Sequence, residues 1–341
     1  MGVNRRFFAL EDSTSVTEFF IDTTKTTASS HPQDSLRFQL PISQNIFSGS
    51  GFVISVDDGR ADTPVRNLSE LNANSTLYFA TAGIYRIRLF GSVLNFNCYL
   101  SSGVVYDINK IIKLTRIGKG FRQGRNQWRG CTNMELALIE PVVLDVDVYG
   151  MFYDIKKVSC DLNSIFSISK VIDLTAFLLS VSESLNSVLP VFAPNLTAAN
   201  SLYQGCIISS SVTEIKILAP KLTTIANCFN TTQWRGRFVV QSEALTNISL
   251  VFRLVTKPPS LGEVDIRRVT TTTSFITSIM STANVDATLL GWQNNFDWSV
   301  ISSVTATYDF YNSKYSNIPA VIAAKAFLES KGITFTRLTM A

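Results

Sequence analysis

The sequence predicts a mainly β protein with short helices, ordered as a small β-sandwich, a solenoid of stacked repeats and a C-terminal α/β cap. Three observations predict it. Short alternating apolar runs separated by turn residues fill residues 36–110. A paired apolar signal recurs through residues 111–284 at intervals of 23 to 30 residues. An amphipathic segment with start and stop signals, followed by an apolar run, occupies residues 285–341. The composition agrees with β structure: of 341 residues, 46% are hydrophobic and only 16% charged, because Ser, Thr and Asn take surface positions that Lys and Glu usually fill.

Residues 1–35 read as an N-terminal docking arm. Two aromatic pairs, Phe7-Phe8 and Phe19-Phe20, precede a Thr/Ser-rich tail over 23–35 that offers little to bury. Two readings stand: a strand plus a linker, or a segment that orders against a partner by strand addition, with Phe7, Phe8, Phe19 and Phe20 as its contacts.

From Leu36 the runs Arg37-Phe-Gln-Leu-Pro, Gly51-Phe-Val-Ile-Ser-Val and Ile84-Tyr-Arg-Ile-Arg-Leu-Phe are strands of a sandwich. Asp58-Gly59 supplies a positive-φ turn. In the last strand Ile84, Arg86 and Arg88 fall on one face and Tyr85, Ile87 and Leu89 on the other. The carboxylates Asp57, Asp58 and Asp62 are read as turn residues and not as a calcium site, because their spacing matches no calcium loop. Phe52-Val-Ile-Ser-Val-Asp-Asp-Gly-Arg followed by Tyr78-Phe-Ala-Thr-Ala-Gly-Ile-Tyr-Arg-Ile-Arg-Leu resembles the polycystic-kidney-disease (PKD) type of immunoglobulin-like domain. The resemblance rests on the Asp58-Gly59 turn and a Tyr78, Gly83, Tyr85 hairpin, and implies an immunoglobulin-like β-sandwich over 36–110.

In 111–284 the apolar pairs are Leu114 and Phe121, Leu144 and Met151, Val171 and Leu178, Leu196 and Tyr203, Leu222 and Phe229, Leu245 and Phe252, Val269 and Ile276. Thr follows the first member in five of them, and Ala193-Pro-Asn-Leu-Thr echoes Ala219-Pro-Lys-Leu-Thr. Each unit is expected to be a strand, a bend and a turn of helix whose bulky residue plugs the core. No unit buries its plug alone, so stability is a nearest-neighbour sum and both ends need caps. Gly130-Cys131-Thr-Asn-Met, Gly205-Cys206 and Asn227-Cys228-Phe229 give these units a likeness to the BspA-like leucine-rich repeats of bacterial surface proteins and of phages that infect such bacteria. The cysteines then read as small buried ladder residues. The C-terminal segment resembles the terminal cap of such solenoids. From the residues themselves, Asn317 caps, Pro319 sits in the first turn, Ile322, Ala326 and Phe327 make an apolar stripe, and Gly332 ends the helix before a final strand.

Chemistry-bearing signals are few. The only histidine, His31, lies in a polar stretch, which removes histidine triads and histidine-rich metal sites. Cys98, Cys131, Cys160, Cys206 and Cys228 form no CxxC pair, so neither a zinc ribbon nor a complete disulfide framework is indicated, and they read as buried free thiols. Phosphate loops, nucleophile elbows and paired-carboxylate motifs are absent, so the expectation is a non-enzyme with no cofactor and no metal. The net charge of +4 is dispersed, which argues against nucleic acid. The stretch from Val171 to Val191 is interrupted by Asp173 and Glu183, which argues against membrane insertion.

One tetrapeptide, Gln-Trp-Arg-Gly, occurs twice, at 127–130 and 233–236, and the first copy lies in the basic run Arg116, Lys119, Arg122, Arg125, Arg129. Arg125, Trp128, Arg129, Trp234, Arg235 and Arg237 are therefore the candidate ligand-binding residues, since aromatic and guanidinium groups together stack on sugars or hold anionic glycans. The competing reading packs each Trp over a neighbouring repeat with Arg reaching solvent. A sandwich plus solenoid belongs to displayed, adhesive proteins, whereas no secretion signal, anchor or lipidation site is seen. The expectation is a phage virion structural protein (tail fibre, baseplate or capsid decoration), made in the host cytoplasm, docked to other virion proteins, homo-oligomeric, and displaying a binding surface for host glycan or protein. The alternative is a bacterial cell-surface adhesin.

Overall fold

The computed structural model describes residues 16–25, 35–41, 53–57, 66–67, 76–90, 96–99, 107–119, 121, 123–255, 258–299, 301 and 304–341. The chain is mainly β with few short helices, and among the described residues no sheet closes into a barrel. It divides into two units: residues 1–142 with 154–160, and residues 143–153 with 161–341.

The first unit is built on a seven-stranded sheet and a two-stranded one. Its strands are β1 (Val16–Asp22), β2 (Arg37–Gln39), β3 (Val53–Asp57), β4 (Arg66–Asn67), β5 (Thr76–Tyr78), β6 (Ile84–Phe90), β7 (Ile111–Arg116) and β8 (Glu135–Leu136); after the two-residue β9 (Val142–Val143) comes β10 (Lys157–Val158). The large sheet runs β10-β8-β7-β1-β6-β3-β4. β1 lies antiparallel between β6 and β7, whereas β7, β8 and β10 run parallel. The segment expected to be an arm thus contains an inner strand, because Thr17, Phe19 and Ile21 alternate onto the core face and the strand finds partners on both sides. The expected strand alternation in β6 holds: Tyr85, Ile87 and Leu89 are buried and Ile84 is exposed. The expected Tyr78–Tyr85 hairpin is not formed. β5 pairs with β2 in the small sheet while β6 joins the large one, so the chain between them crosses from sheet to sheet. The Asp58-Gly59 turn lies outside the described residues. Phe38 of β2 meets Phe19 of β1 at 6.2 Å, and Phe96 and Trp128 close the same aromatic core.

Beneath that core lies a fully buried ion pair. Lys110 and Asp107 stand 3.5 Å apart. Lys110 Nζ donates to the Arg37 carbonyl at 2.7 Å, and Asp107 Oδ2 accepts the Gln39 N–H at 2.9 Å, so the pair clamps both ends of β2.

The second unit stacks successive turns of chain through parallel bridges. One column links Asp147, Asp173, Ala198, Thr224, Asn247 and Thr271. A longer parallel pair joins β12 (Glu214–Leu218) to β13 (Arg237–Gln241), preceded by α1 (Leu162–Ile165) and β11 (Phe166–Ser167). Every apolar pair read from the sequence in this unit, from Leu144 and Met151 to Val269 and Ile276, is buried. The plugs stack directly: Tyr203 on Phe229 at 5.8 Å and Phe229 on Phe252 at 5.2 Å. Three of the threonines that follow first members share one cause. The hydroxyls of Thr197, Thr223 and Thr246 each donate to a carbonyl of the preceding turn, at 3.1, 2.9 and 3.2 Å.

The plug does not sit on a turn of helix. Tight turns carry it, with left-handed residues four apart: Ala176 and Ser180, Ser201 and Gly205, Asn227 and Thr231, Leu250 and Leu254. Most of these are not glycine, so their Cβ atoms crowd the backbone. Leu254 is exposed at φ 57°, so its side chain gains little from burial. Leu254→Gly is expected to raise stability by about 0.5–1 kcal/mol, the relieved strain exceeding glycine's entropy cost. An unchanged or lower denaturant midpoint would count against strain at this turn.

At the C-terminus, α2 (Thr282–Asn294) buries Val285, Leu289 and Trp292, and Gly291 allows its backbone to meet Gly262, where a Cβ would fall 2.5 Å from the Gly262 Cα. Strands β14 (Ala306–Tyr315) and β15 (Ile333–Met340) are parallel, joined by α3 (Pro319–Ser330). Pro319 opens α3 as expected, but the N-cap is Ile318, with no side-chain cap, and not Asn317. The buried stripe is Val321, Ala324 and Leu328, whereas Ile322 and Ala326 are exposed and Phe327 is half-buried. At about 100° per residue the buried stripe lies nearly opposite the one the sequence suggests, because α3 docks against α2 and β15, and these choose the inward face.

Candidate functional site

The two Gln-Trp-Arg-Gly copies are placed very differently from a stacking platform. Trp128 is fully buried against Phe96 at 4.5 Å and Phe19 at 5.7 Å. Trp234 is also buried, stacked on Phe229 at 5.4 Å, and its Nε1 donates to the Val212 carbonyl at 2.8 Å. Neither indole presents a face to solvent. Both are core residues, each ring packed against neighbouring aromatics. Phe19 is a core residue as well, Phe20 is half-buried on the other face of β1, and Phe7 and Phe8 lie outside the described residues.

The arginines divide. Arg125, Arg235 and Arg237 are exposed, while Arg129 is half-buried with its guanidinium 3.9 Å from the Tyr99 ring. Arg122 lies outside the described residues. Arg116 pairs with Glu140 at 3.5 Å, so part of the basic run is neutralised within its own unit.

The second unit instead brings together a group that the tetrapeptide reading missed in part. Arg237 on β13 stands opposite Glu214 on β12 in register, and its guanidinium bridges Glu214 and Glu263 on the turns before and after it. Lys216 lies close enough to act on Glu263, and Arg235 is exposed nearby in sequence. Alternation in β12 puts Ile215 and Ile217 inside and leaves Glu214, Lys216 and Leu218 outward. The signal was available in the sequence: Glu214, Arg237 and Glu263 lie 23 and 26 residues apart, the repeat spacing.

The electrostatics of this face are those of exposed ion pairs. The Arg237 hydrogen bond holds the Glu263 carboxyl below its ordinary value of 4.5. Asp309 is lowered in the same way by Arg337, and Asp297 by the Ser299 hydroxyl. A carboxylate with a depressed folded pKa adds stability that is complete above the unfolded value and is lost as pH falls through the folded one. The thermal midpoint is therefore expected to fall on acidification below about pH 4.5, and Glu263→Gln to flatten that fall while leaving the neutral midpoint almost unchanged. A variant whose acid limb superimposes on that of the parent would remove Glu263 from the account.

Interior groups point away from chemistry. Burial pushes the Cys206 and Cys228 thiols up to about 12, and the Cys206 thiol donates to the Leu178 carbonyl at 2.8 Å. These two are held as thiols and are not poised nucleophiles. Four of the five cysteines are buried and Cys160 is intermediate; all five are free. Among the described residues, no group of three or more His, Cys, Asp or Glu is placed to hold a metal ion, and no helix is long and apolar enough to cross a membrane.

No family model matches the chain, and no curated protein or solved structure matches it either.

Proposed function

We propose that the chain is a non-enzymatic structural component of a phage particle, made in the host cytoplasm, that docks to other virion proteins and displays a leucine-rich-repeat solenoid of the BspA-like kind as a binding surface. The observation that carries this reading is the division of labour in the stacked turns: Tyr203, Phe229 and Phe252 fill the inside, while Glu214, Lys216, Arg235 and Arg237 stand outward on adjacent turns. Such a stack offers a long side-chain array for contact with a partner. Docking is assigned to the residues before β1, whose sequence carries Phe7 and Phe8, and residues 36–110 to a PKD-like, immunoglobulin-like sandwich. The ligand class that suits alternating carboxylate and guanidinium groups is a polar host-surface glycan or protein.

Quantitative mass spectrometry of gradient-purified particles tests the assignment. A fixed copy number per particle is the expected result. Absence from particles, with the chain recovered on the surface of intact bacteria, would transfer it to the adhesin class.

A further inference from the structure

The first unit holds a pair of cysteines that the proposed function does not use. Cys98 and Cys131 are both buried, at 5% and 0% exposure. Several contacts bring them together. The Phe96 and Trp128 rings meet at 4.5 Å; Cys98 is two residues beyond the first and Cys131 three beyond the second. The Cys98 N–H donates to the Gln127 carbonyl at 2.9 Å, and the Cys131 N–H closes a turn on the Trp128 carbonyl at 3.4 Å. Both chain segments are thus tied to one turn, and the Cys131 thiol lies close enough to act on the ionisation of the Cys98 thiol. Cys206, by contrast, spends its thiol on a backbone carbonyl.

We propose that Cys98 and Cys131 form a dithiol–disulfide pair, reduced in a reducing compartment and joined covalently in an oxidising medium, where the bond staples the chain after β6 to the turn before β8. In the closure two S–H bonds break and one S–S bond forms. Hydrogen peroxide accepts the two electrons: its O–O bond breaks as one thiol becomes a sulfenic acid and a water leaves, and the other thiol attacks that sulfur and expels its hydroxyl as the second water. Burial, with the Cys131 thiol second, holds the Cys98 thiol well above its usual range. Closure therefore waits on local opening and is slow, as suits a structural bond and not a catalytic one. The bond would close a loop in which Cys131 lies 33 positions after Cys98. The inference is independent of the virion assignment.

The test uses the full chain, incubated with millimolar hydrogen peroxide for hours, alkylated in denaturant and mapped without reduction by mass spectrometry. A Cys98–Cys131 linked peptide is expected, lighter by two hydrogens than its parts and released by dithiothreitol. The oxidised protein should melt higher by roughly 5–10 °C, in line with a loop of this length. Cys98→Ala and Cys131→Ala should each abolish the shift, while the peptide map needs no variant. Recovery of both cysteines alkylated, over-oxidised, or joined to other cysteines would overturn the proposal.

Discussion

Trp234→Ala is expected to destabilise the second unit by about 3–5 kcal/mol, the usual cost of emptying a buried indole site. Phe229 loses a stacked neighbour at 5.4 Å, and the Val212 carbonyl loses the indole N–H that satisfies it at 2.8 Å. Because each turn is supported by the next, the loss should spread to the flanking turns and not stay local. Chemical denaturation, or hydrogen exchange over 203–252, measures it. Trp234→Phe separates the two contributions: it keeps an aromatic body in the stack and loses the hydrogen bond, for a cost nearer 1–2 kcal/mol by the ordinary price of an unsatisfied buried acceptor, about 1–3 kcal/mol. An alanine variant as stable as the parent would show that the ring is not packed as described. Any loss of glycan binding in Trp128→Ala or Trp234→Ala would follow from this destabilisation, since neither ring is available to a ligand. Exposed Arg235 and Arg237 are the informative positions for binding.

Lys110→Met is expected to destabilise the first unit by about 3–5 kcal/mol, because it strands the Asp107 carboxylate in a site without solvent and leaves the Arg37 carbonyl without its donor. The double variant Asp107→Asn with Lys110→Met removes the stranded charge while keeping an acceptor for the Gln39 N–H. It should recover a substantial part of the loss. A double variant no more stable than Lys110→Met would mean that methionine disrupts packing and that the charge is not the cause. The sequence offered no hint of this pair. Asp107 and Lys110 look like ordinary loop residues until β2, some seventy positions earlier, arrives with two backbone groups to satisfy.

The same contrast runs through the chain. The repeat was legible because its requirements are local and recur: an apolar anchor, a hydroxyl to bond the carbonyl of the turn before, and a bulky plug seven positions on. Each pair named from the sequence in the second unit is buried, and Thr197, Thr223 and Thr246 show why threonine recurs. The turns themselves were not legible, since Ala176, Leu250 and Leu254 hold left-handed conformations that their side chains disfavour. Hydrogen bonds from the next turn hold them there: the N–H of Ala176 to Asn200, of Leu250 to Thr273, of Leu254 to the Thr277 hydroxyl. Nor could alternation in β1 show whether Phe19 or Phe20 faces a core, because a strand has two faces and its partners choose between them.

By itself the sequence determined the β-rich class, the period of the stacked turns, the apolar residues that fill them, and the helix followed by a strand that closes the chain. Those follow from side-chain size and spacing, which neighbouring residues set. Only the tertiary structure decided that β1 is an inner strand, that both tryptophans are core, that α3 turns Val321 inward, and that Arg237 is shared by two glutamates on other turns. Burial and pairing of that kind depend on which distant segment comes to lie alongside, and that is fixed when the sheets and turns pack.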